Sequence, residues 1–546
     1  MTPVSPGKRT NSAPSPAPAM HTPTPEASGG LYLIDSRDDV AVATRALGTG
    51  EFVEVGASRT RVQIREPIGR GHKVALRDIR AGEEVHKYGW PIGRARHDIA
   101  LGARVHTENL ATQLSGVEKY AFEEPVQDAD TTAAATPTTR AAGGAVASPA
   151  TSTSPAANAT FLGYRRANGR VGTRNEIWIL TTVGCVNRTA ERLARAAAEK
   201  FAGRLDGVYA FTHPFGCSQL GDDLDNTRRV LASLITHPNA GGVLVLGLGC
   251  ESNQLDRLLA EAGPVDRSRI RAFSAQACED EEEEGLKALA ELAEIAARDV
   301  RVPCPLASLV VGLKCGGSDG LSGITANPLV GRIADEVTQA GGAAVLTEIP
   351  EVFGAEQLLM RRASSRAVFD GIVNVVNRFK SYFLDHGQPV HENPSPGNIE
   401  GGITTLEEKS LGAVQKGGRS QVTQVLRYGE GVRQPGLALL EAPGNDAVSS
   451  TALVAAGATV LLFTTGRGTP LGFPVPTLKI SSNSALATRK PHWIDFDAGR
   501  VLAEDSPSAA ANDLLQLMIE TASGRLARNE VNGEREIAIW KTGVTL

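Results

Sequence analysis

A repeated pattern of buried strand, glycine-containing loop and helix is the feature that most constrains the fold of this chain. Apolar runs end in loops in the segments WILTTVGCVN, GVYAFTHPFGCSQ, AGGVLVLGLGCESNQ and LASLVVGLKCGG. Helical patterns such as RTAERLARAAAEKFA and DNTRRVLASLI stand between them. Strands that alternate with helices in this way are typical of an α/β domain with a mostly parallel sheet. The sequence therefore predicts an α/β fold from Phe161 onward.

The last of these loops, in residues 312–328, is the first candidate for a functional site. Its sequence GLKCGGSDGLSGITANP holds five glycines, one cysteine, one aspartate and two serines directly after an apolar run. Open α/β sheets bind ligands at the carboxyl ends of their strands, and glycine lets backbone N–H groups approach a ligand closely. A glycine pair can also serve only as a sharp turn between strand and helix. Three similar loops elsewhere in the chain favour a site.

The length of 546 residues is too great for a single hydrophobic core, so several folded units are expected. Segments rich in Pro, Ser, Thr and Ala cannot repay the entropy of ordering, whereas short alternating apolar runs between glycine-rich turns indicate an all-β domain. We predict a disordered tail at 1–29, a small all-β domain at 30–120, a flexible linker at 121–160, an α/β domain at 161–430 and a C-terminal α/β subdomain at 431–546.

Composition narrows the class of protein. A formal net charge of -5 and a charged fraction of 21% argue against a nucleic-acid partner and against a membrane-surface protein. None of the six cysteines forms a CxxC pair, which argues against a zinc ribbon or a disulfide framework and favours a reducing compartment. No secretory signal and no apolar run of about 18 residues is present. We therefore expect a cytoplasmic protein that is not embedded in a membrane.

Four cysteines occupy the same topological place. Cys185, Cys217, Cys250 and Cys315 each stand where a predicted strand meets a loop, so they should converge at one end of the sheet. A buried cysteine is usually a small hydrophobic residue. Thiolate ligands to iron, a reactive thiol and the polar lining of a pocket are the alternatives.

Histidines and oxygen-bearing side chains accompany these cysteines. His72 and His106 of the small domain follow glycine-rich turns and are candidate metal ligands or acid/base groups, although a histidine near a turn is more often a solvated surface residue. Carboxylates beside the loops, together with a neutral histidine, suit Mg, Mn or Fe(II). They include Glu251, Asp319, Glu348 and Glu351. A cationic lysine, Lys409 or Lys416, can hold a substrate carboxylate.

Taken in order, these motifs resemble those of the altronate/galactarate dehydratase family of sugar-acid hydro-lyases. The small domain resembles the SAF, or β-clip, domain of that family through GHKVALRDIRAGEEVHKYGWPIGRA and VHTENL. The large part resembles it through GRVGTRNEIWIL, HPFGCSQLGDD, LKCGGSDGLSGITANP, NPSPGNIEGGITTLEEKSLGAVQKGG and PGNDAVSSTALVAAGA. The long tail and linker depart from the family pattern.

The resemblance implies loss of water from an altronate-type hexonate to give a 2-keto-3-deoxy acid, with Fe2+ as cofactor and Mn2+ or Mg2+ as alternatives. The metal ligands inferred from it are His72, His106, Cys315 and Glu251. The catalytic residues inferred from it are His72, His106, Lys416 and Asp319. The substrate-binding residues inferred from it are Arg174, Ser318, Asn253, Asn398 and Asn445.

Several alternatives stay open on the sequence. These motifs do not identify the sugar acid, so galactarate dehydratase is a competing activity. They do not identify the leaving group either, so sulfolactate sulfo-lyase is another. A non-catalytic sugar-acid binding protein is an alternative of a different class. An iron–sulfur hydratase is a further alternative because of the four loop cysteines. The expected partner is a small-molecule sugar acid, and a homo-oligomer is compatible with the sequence.

Overall fold

A computed structural model describes residues 29–56, 59–122, 158–503 and 506–544. The disordered tail predicted at 1–29 and the linker predicted at 121–160 lie almost wholly outside the described residues. Within them, a small domain of antiparallel strands precedes a larger α/β region with parallel sheets, which confirms the predicted fold class. No described helix is long and apolar enough to cross a membrane.

The small domain is built from short antiparallel strands whose side chains alternate between core and solvent. Val53 and Val55 point inward while Phe52 is exposed, the period-two burial expected of a half-buried strand. Three groups of strands pair, in the orders β1-β2-β5-β8, β6-β7-β9 and β3-β4. Their bounds are β1 (Leu31–Tyr32), β2 (Val40–Ala43), β3 (Phe52–Val55), β4 (Thr60–Gln63), β5 (Lys73–Ala75), β6 (Glu84–Lys87), β7 (Trp90–Ala95), β8 (Arg104–Val105) and β9 (Leu110–Ala111).

The second region contains a four-stranded parallel sheet in the order β13-β12-β14-β15, beside a small antiparallel sheet of β11, β10 and β16. The strands are β10 (Thr160–Arg165), β11 (Val171–Gly172), β12 (Glu176–Thr181), β13 (Gly207–Phe211), β14 (Ala240–Gly247), β15 (Ile270–Ser274) and β16 (Val302–Pro305). The helices are α1 (Asn187–Lys200), α2 (Gly221–Ile235), α3 (Leu255–Glu261) and α4 (Glu281–Ala296). Strands β12 and β14 are buried along their whole length, as expected of the central strands of a parallel sheet.

The third region holds a seven-stranded parallel sheet in the order β19-β20-β18-β17-β21-β22-β23. The strands are β17 (Val310–Cys315), β18 (Ala343–Leu346), β19 (Val422–Leu426), β20 (Gly436–Leu440), β21 (Val460–Thr465), β22 (Thr477–Ser481) and β23 (Phe496–Asp497). The helices are α5 (Ala326–Gln339), α6 (Glu356–Met360), α7 (Arg366–Asp385), α8 (Pro396–Glu400), α9 (Leu406–Ala413), α10 (Asp446–Ala455), α11 (Ser484–Arg489), α12 (Pro507–Ala522) and α13 (Arg528–Val531).

The division of the α/β region differs from the predicted boundary between 430 and 431. That point falls between β19 and β20, which pair with each other in the seven-stranded sheet. The two parallel sheets are separate, so the region divides after β16 instead. The turn formers near 430 signal a crossover inside one sheet, which a sequence pattern alone does not distinguish from a domain boundary.

The two parallel sheets enclose α2 and α10 and share one apolar core with them. Asn239 Nδ2, just before β14, lies 3.4 Å from the carbonyl oxygen of Thr459, just before β21. At the ends of α2 and α10, His237 Nε2 lies 3.1 Å from the carbonyl oxygen of Ala458. Strands β14 and β21 of the two sheets therefore begin next to each other.

Candidate active site

Strand β17 carries a lysine into the interior of the seven-stranded sheet. Lys314 is fully buried, and its ammonium donates to Asp446 Oδ1 (2.8 Å), to the carbonyl oxygen of Cys315 (2.8 Å) and to the carboxylate of Glu348. Burial alone would lower the pKa of Lys314, but the carboxylates of Asp446 and Glu348 outweigh it and raise that pKa. The lysine is therefore charged at neutral pH.

Two buried glutamates follow β18 within a single turn. Glu348 has a φ of 67°, in the left-handed region that a non-glycine residue adopts at a cost of about 1 to 3 kcal/mol. Its carboxylate accepts hydrogen bonds from the backbone N–H of Cys315 (3.2 Å) and from Lys416 Nζ (3.4 Å). Strain of this kind is typical of functional sites, because the surrounding contacts must hold the residue in place.

A thiol and two more lysines complete the group. Lys416 Nζ lies 2.7 Å from Cys315 Sγ, and that sulfur lies 3.3 Å from Glu351 Oε2. Lys409 Nζ donates to Glu351 Oε1 at 2.8 Å. We call this set the lysine–carboxylate cluster, and its members are Lys314, Cys315, Glu348, Glu351, Lys409, Lys416 and Asp446. It lies at the carboxyl ends of three neighbouring strands, β17, β18 and β20.

The two glutamates of the cluster have opposite pKa shifts. Burial raises the pKa of Glu348, only partly offset by Lys314. Burial also acts to raise the pKa of Glu351, but Lys409 and the other two lysines outweigh it and lower that pKa to about 2. Two neighbouring carboxyl groups whose pKa values are driven apart are the usual arrangement for acid/base chemistry. The Cys315 thiol has a pKa raised to about 12, chiefly by burial, so it is protonated at neutral pH.

The low pKa of Glu351 predicts a pH-dependent stability. An unfolded glutamate titrates at about 4.3, so the stabilisation from ionised Glu351 is fully present above that pH and is lost as the pH falls towards about 2. The variant Glu351→Gln should therefore be less stable than the unmodified protein at pH 7. Urea unfolding at pH 7, 5, 4 and 3 should show the difference shrinking as the pH falls. A difference that stays constant over this range would contradict the assignment.

The small domain docks beside the cluster through a buried charge triad. Glu408 accepts hydrogen bonds from Lys73 Nζ (2.8 Å) and Lys87 Nζ (2.7 Å), and all three side chains are buried. Burial would raise the pKa of Glu408, but the two lysines outweigh it and hold that pKa well below the usual range. The backbones also meet closely, since a Cβ atom at Gly320 would lie 1.9 Å from the carbonyl oxygen of Gly71. The loop that follows β17 is thus packed against the small domain.

His72 and His106 lie at this domain boundary rather than in the cluster. Their rings stack with centroids 5.1 Å apart, and their Nε2 atoms lie 3.3 Å and 3.1 Å from the carbonyl oxygens of Glu400 and Ile399. Burial lowers the pKa of both imidazoles, so they are neutral at pH 7. Among the described residues, neither histidine belongs to a compact group of three potential metal ligands. Their metal-binding and catalytic roles stay predictions.

Other predicted residues border the cluster through the loop after β17 and the segment around α8. Asn398 Oδ1 accepts a hydrogen bond from Lys409 Nζ (3.2 Å), and its Nδ2 donates to the carbonyl oxygen of Ser318 (2.8 Å). Asp319 accepts hydrogen bonds from the Ser482 hydroxyl (2.8 Å) and from Asn483 Nδ2 (3.1 Å). Asp319 therefore ties the loop to the end of β22, while Ser318 and Asn398 stand next to the lysines.

The remaining predicted residues have partners elsewhere in the protein. Arg174 forms a buried two-pronged ion pair with Glu530, with both contacts at 2.7 Å, and its other donors bond to backbone carbonyls. Asn445 caps α10 by accepting from two backbone N–H groups. Glu251 and Asn253 lie at the end of β14, where both bond to Thr182. The structure brings none of these four into the cluster.

Comparison with known proteins covers all three folded regions. Residues 31–113 match the family model of the altronate/galactarate dehydratase SAF domain. Residues 163–297 match the second domain of D-galactarate dehydratase/altronate hydrolase, and residues 306–545 match the C-terminal domain of D-galactarate/altronate dehydratase. The gap between these two matches coincides with the division between the two parallel sheets.

Individual relatives agree with the family models. The altronate dehydratases of Bacillus subtilis and Escherichia coli are 47% and 48% identical to this chain, each over 94% of the chain and 99% of the relative. The chain belongs to the altronate/galactarate dehydratase family. The galactarate dehydratase (L-threo-forming) of Escherichia coli is 32% identical over 85% of the chain and 88% of the relative. Membership confirms the predicted resemblance, and the activity class is that of a hydro-lyase acting on a sugar acid.

A metal is expected in a member of the altronate/galactarate dehydratase family, and the cluster offers one group of donors. Cys315, Glu348 and Glu351 each present a ligand atom, and these atoms lie within 4.8 Å of one another. Each is also in contact with a lysine ammonium, so a divalent cation would face three positive charges at short range. The cluster in this arrangement does not suit a divalent ion.

Most of the cluster was not among the site residues chosen from the sequence. Cys315 and Lys416 were predicted as site residues, Glu348, Glu351 and Lys409 were considered only as candidate ligands or carboxylate-binding groups, and Lys314 was not predicted. A usable signal was present in the sequence, since Lys314 interrupts the apolar run of β17 in VVGLKC and a buried lysine requires a carboxylate partner. The identity of that partner depends on which strands are neighbours, which the sequence pattern does not give.

Proposed function

We propose that this chain dehydrates an altronate-type hexonate to a 2-keto-3-deoxy acid at the lysine–carboxylate cluster. Three lysines beside two glutamates with opposite pKa shifts are the observation that carries the proposal. The choice of altronate over galactarate rests on 47–48% identity to altronate dehydratases against 32% to a galactarate dehydratase.

Substrate binding is assigned to the cationic side of the cluster. A hexonate carries one carboxylate, and the ammonium of Lys409, which donates to Glu351, Asn393 and Asn398, would bind it by exchanging one of these contacts. An ammonium beside the substrate carboxylate also lowers the energy of the enediolate that forms when the adjacent carbon loses its proton. Asn398 and Ser318 stand close enough to Lys409 and its loop to orient the hydroxyl groups.

Proton transfer is assigned to Glu348 and Lys416. Glu348 takes the proton from the carbon next to the carboxylate, a task favoured by the pKa that burial raises. Lys416 gives a proton to the hydroxyl that leaves from the next carbon, so that water departs and the enol rearranges to the keto acid. The 3.4 Å contact between Lys416 Nζ and Glu348 Oε2 lets the proton return from the glutamate to the lysine.

Iron is the metal that we propose for this enzyme, with Mn2+ or Mg2+ as alternatives. A bound metal supplies Lewis acidity towards a carboxylate or a leaving hydroxyl. The cluster residues do not suit a divalent ion as they are paired, so their assigned roles are binding and proton transfer alone. The cytoplasmic location and the homo-oligomer stay predictions.

Anaerobic turnover of a substrate panel tests the proposed function. The panel contains altronate, other hexonates, galactarate and sulfolactate, each with added Fe2+, Mn2+ or Mg2+, and both 2-keto-3-deoxy acid and sulfite are measured. We expect keto acid from altronate at a higher kcat/KM than from galactarate, and no sulfite. A higher kcat/KM for galactarate would make galactarate the substrate in place of altronate, and release of sulfite would make sulfolactate the substrate. Binding of altronate by folded, iron-supplied protein without any product would indicate a binding protein instead.

A further inference from the structure

The second region presents three thiols at one edge of its parallel sheet. Cys185, Cys217 and Cys250 follow the carboxyl ends of β12, β13 and β14, which are neighbours in the order β13-β12-β14. All three are free and exposed, whereas Cys315 of the lysine–carboxylate cluster is buried. Exposed thiols are unusual for a residue type that is mostly buried, and three at one sheet edge call for an explanation.

The loops that carry these thiols are bonded to one another. The backbone N–H of Gly184 donates to the carbonyl oxygen of Phe215 at 3.0 Å, which joins the loops of Cys185 and Cys217. The backbone N–H of Asn253 donates to the carbonyl oxygen of Gly216 at 2.9 Å, which joins the loops of Cys217 and Cys250. The three cysteines therefore stand on one connected surface.

Each of the three cysteines directly follows a glycine that its loop needs. Gly216 has a φ of 101°, and a Cβ atom there would lie 2.0 Å from the carbonyl oxygen of Thr182. Gly249 has a φ of 129°, and a Cβ atom there would lie 2.7 Å from Gln276 Oε1. At Gly184 the corresponding distance, to the carbonyl oxygen of His213, is 3.2 Å. Gly184 and Gly216 thus let the loops of Cys185 and Cys217 approach closely, and Gly249 leaves room for the side chain of Gln276.

Polar side chains lie beside two of the three thiols. Gln276 Nε2 lies 3.6 Å from Cys250 Sγ, and the Ser218 hydroxyl lies 3.7 Å from Cys217 Sγ. Asn253 is fully buried and has an Oδ1 atom without a hydrogen-bond partner, an uncommon state for a buried amide. Hydrogen bonds from such amides and hydroxyls to sulfur are one means by which proteins tune iron–sulfur centres.

We propose that Cys185, Cys217 and Cys250 ligate an iron–sulfur cluster through three thiolates, leaving one iron without a protein ligand. Thiolates are soft ligands that select such clusters, zinc or copper(I). The three sulfur atoms do not all lie within 4.8 Å of one another. At least one of their separations therefore exceeds the distance of about 3.8 Å between sulfur atoms in a tetrahedral zinc site with zinc–sulfur bonds of about 2.3 Å, so the thiols as they stand do not form a single-ion zinc site.

An iron–sulfur cluster on these thiols would also bear on the dehydration chemistry proposed above. Strands β14 and β21 begin next to each other, and the three thiols and the lysine–carboxylate cluster stand at the carboxyl ends of these two sheets. The open iron would act as a Lewis acid on a substrate oxygen, with no change of oxidation state. That role depends on the proposed dehydratase function, whereas the existence of the iron–sulfur cluster does not.

The experiment is anaerobic reconstitution of the full chain with Fe2+, sulfide and a thiol reductant. Iron, acid-labile sulfide and visible absorbance are measured without any substrate. We expect about four iron and four sulfide per chain, with a marked loss of both in Cys185→Ser, Cys217→Ser and Cys250→Ser. The matched control is Cys278→Ser, whose thiol lies in the same region and donates to the carbonyl oxygens of Ser274 and Ala275. It should keep the full iron and sulfide content.

The outcomes separate this proposal from the proposed function. Absence of acid-labile sulfide in the unmodified protein, stoichiometric zinc without sulfide, or equal loss in the Cys278→Ser control would each overturn the iron–sulfur assignment. Circular dichroism and thermal unfolding of every variant show whether a loss of iron reflects unfolding. If the iron–sulfur cluster forms normally but the protein has no activity on any hexonate, the iron–sulfur assignment holds and the proposed substrate is wrong.

Discussion

Replacing Glu348 by glutamine should lower kcat for the hexonate by about 100- to 10,000-fold, the usual contribution of a positioned acid or base. The amide keeps the size of the side chain but cannot take a proton from carbon. Since Lys409 and Asn398 are unchanged, KM should change much less than kcat. Steady-state kinetics of keto-acid formation under anaerobic conditions measure both constants.

A second buried lysine–glutamate pair gives the matched control for this variant. Glu356 accepts a hydrogen bond from Lys380 Nζ at 2.8 Å, and both side chains are buried outside the lysine–carboxylate cluster. Glu356→Gln should lower stability but leave kcat per folded molecule near that of the unmodified protein. If Glu348→Gln is folded and turns over at the unmodified rate, Glu348 is not the base.

Replacing Glu408 by glutamine should lower the free energy of unfolding by about 3 to 5 kcal/mol, because the change leaves two ammonium groups buried without a carboxylate. Lys73 and Lys87 have fully buried side chains and both bond to this carboxylate. The effect should be greatest at the boundary between the small domain and the rest of the chain. Thermal unfolding and limited proteolysis at that boundary measure it.

Two further variants control the Glu408 result. Removing the whole triad with Lys73→Met, Lys87→Met and Glu408→Leu together should recover much of the stability, since no buried charge is left unpaired. Glu430→Gln removes a surface ion pair with Arg433 and should change the free energy of unfolding by about 1 kcal/mol or less. A Glu408→Gln protein as stable as the Glu430→Gln protein would show that the triad does not hold the domains together.

Patterns along the chain were sufficient to predict the fold class. Alternation of period two predicted the strands of the small domain, and apolar runs followed by glycine-rich loops predicted the parallel sheets. Both patterns are local, so they can be recognised in the sequence without knowledge of tertiary contacts. The division of the α/β region was not predictable, because β19 and β20 are separated by turn formers and yet pair in one sheet.

Of the candidate site, the sequence patterns indicate the loop after β17 and only part of the lysine–carboxylate cluster. The loop after β17 was identified from its glycines, and Cys315 and Lys416 do lie in the cluster. Glu348 and Glu351 join them only because β18 is the neighbour of β17, a fact of strand order that the sequence does not state. Arg174 was predicted to bind substrate but pairs with Glu530 instead. The sequence does not distinguish the two, because an arginine that suits a substrate carboxylate suits a buried glutamate equally well.

The exposure of one cluster member bears on how substrate arrives and product leaves. Asp446 has a side chain that is 37% exposed, although the ammonium it contacts belongs to the fully buried Lys314. The small domain is fastened by the Glu408 triad, so opening it would separate three buried charges at every turnover. We expect substrate and product to pass the amino end of α10 instead, where Asp446 connects the lysine–carboxylate cluster to solvent. The small domain then stays in place during turnover, and substrate and product exchange on the side of Lys314 where Asp446 meets solvent.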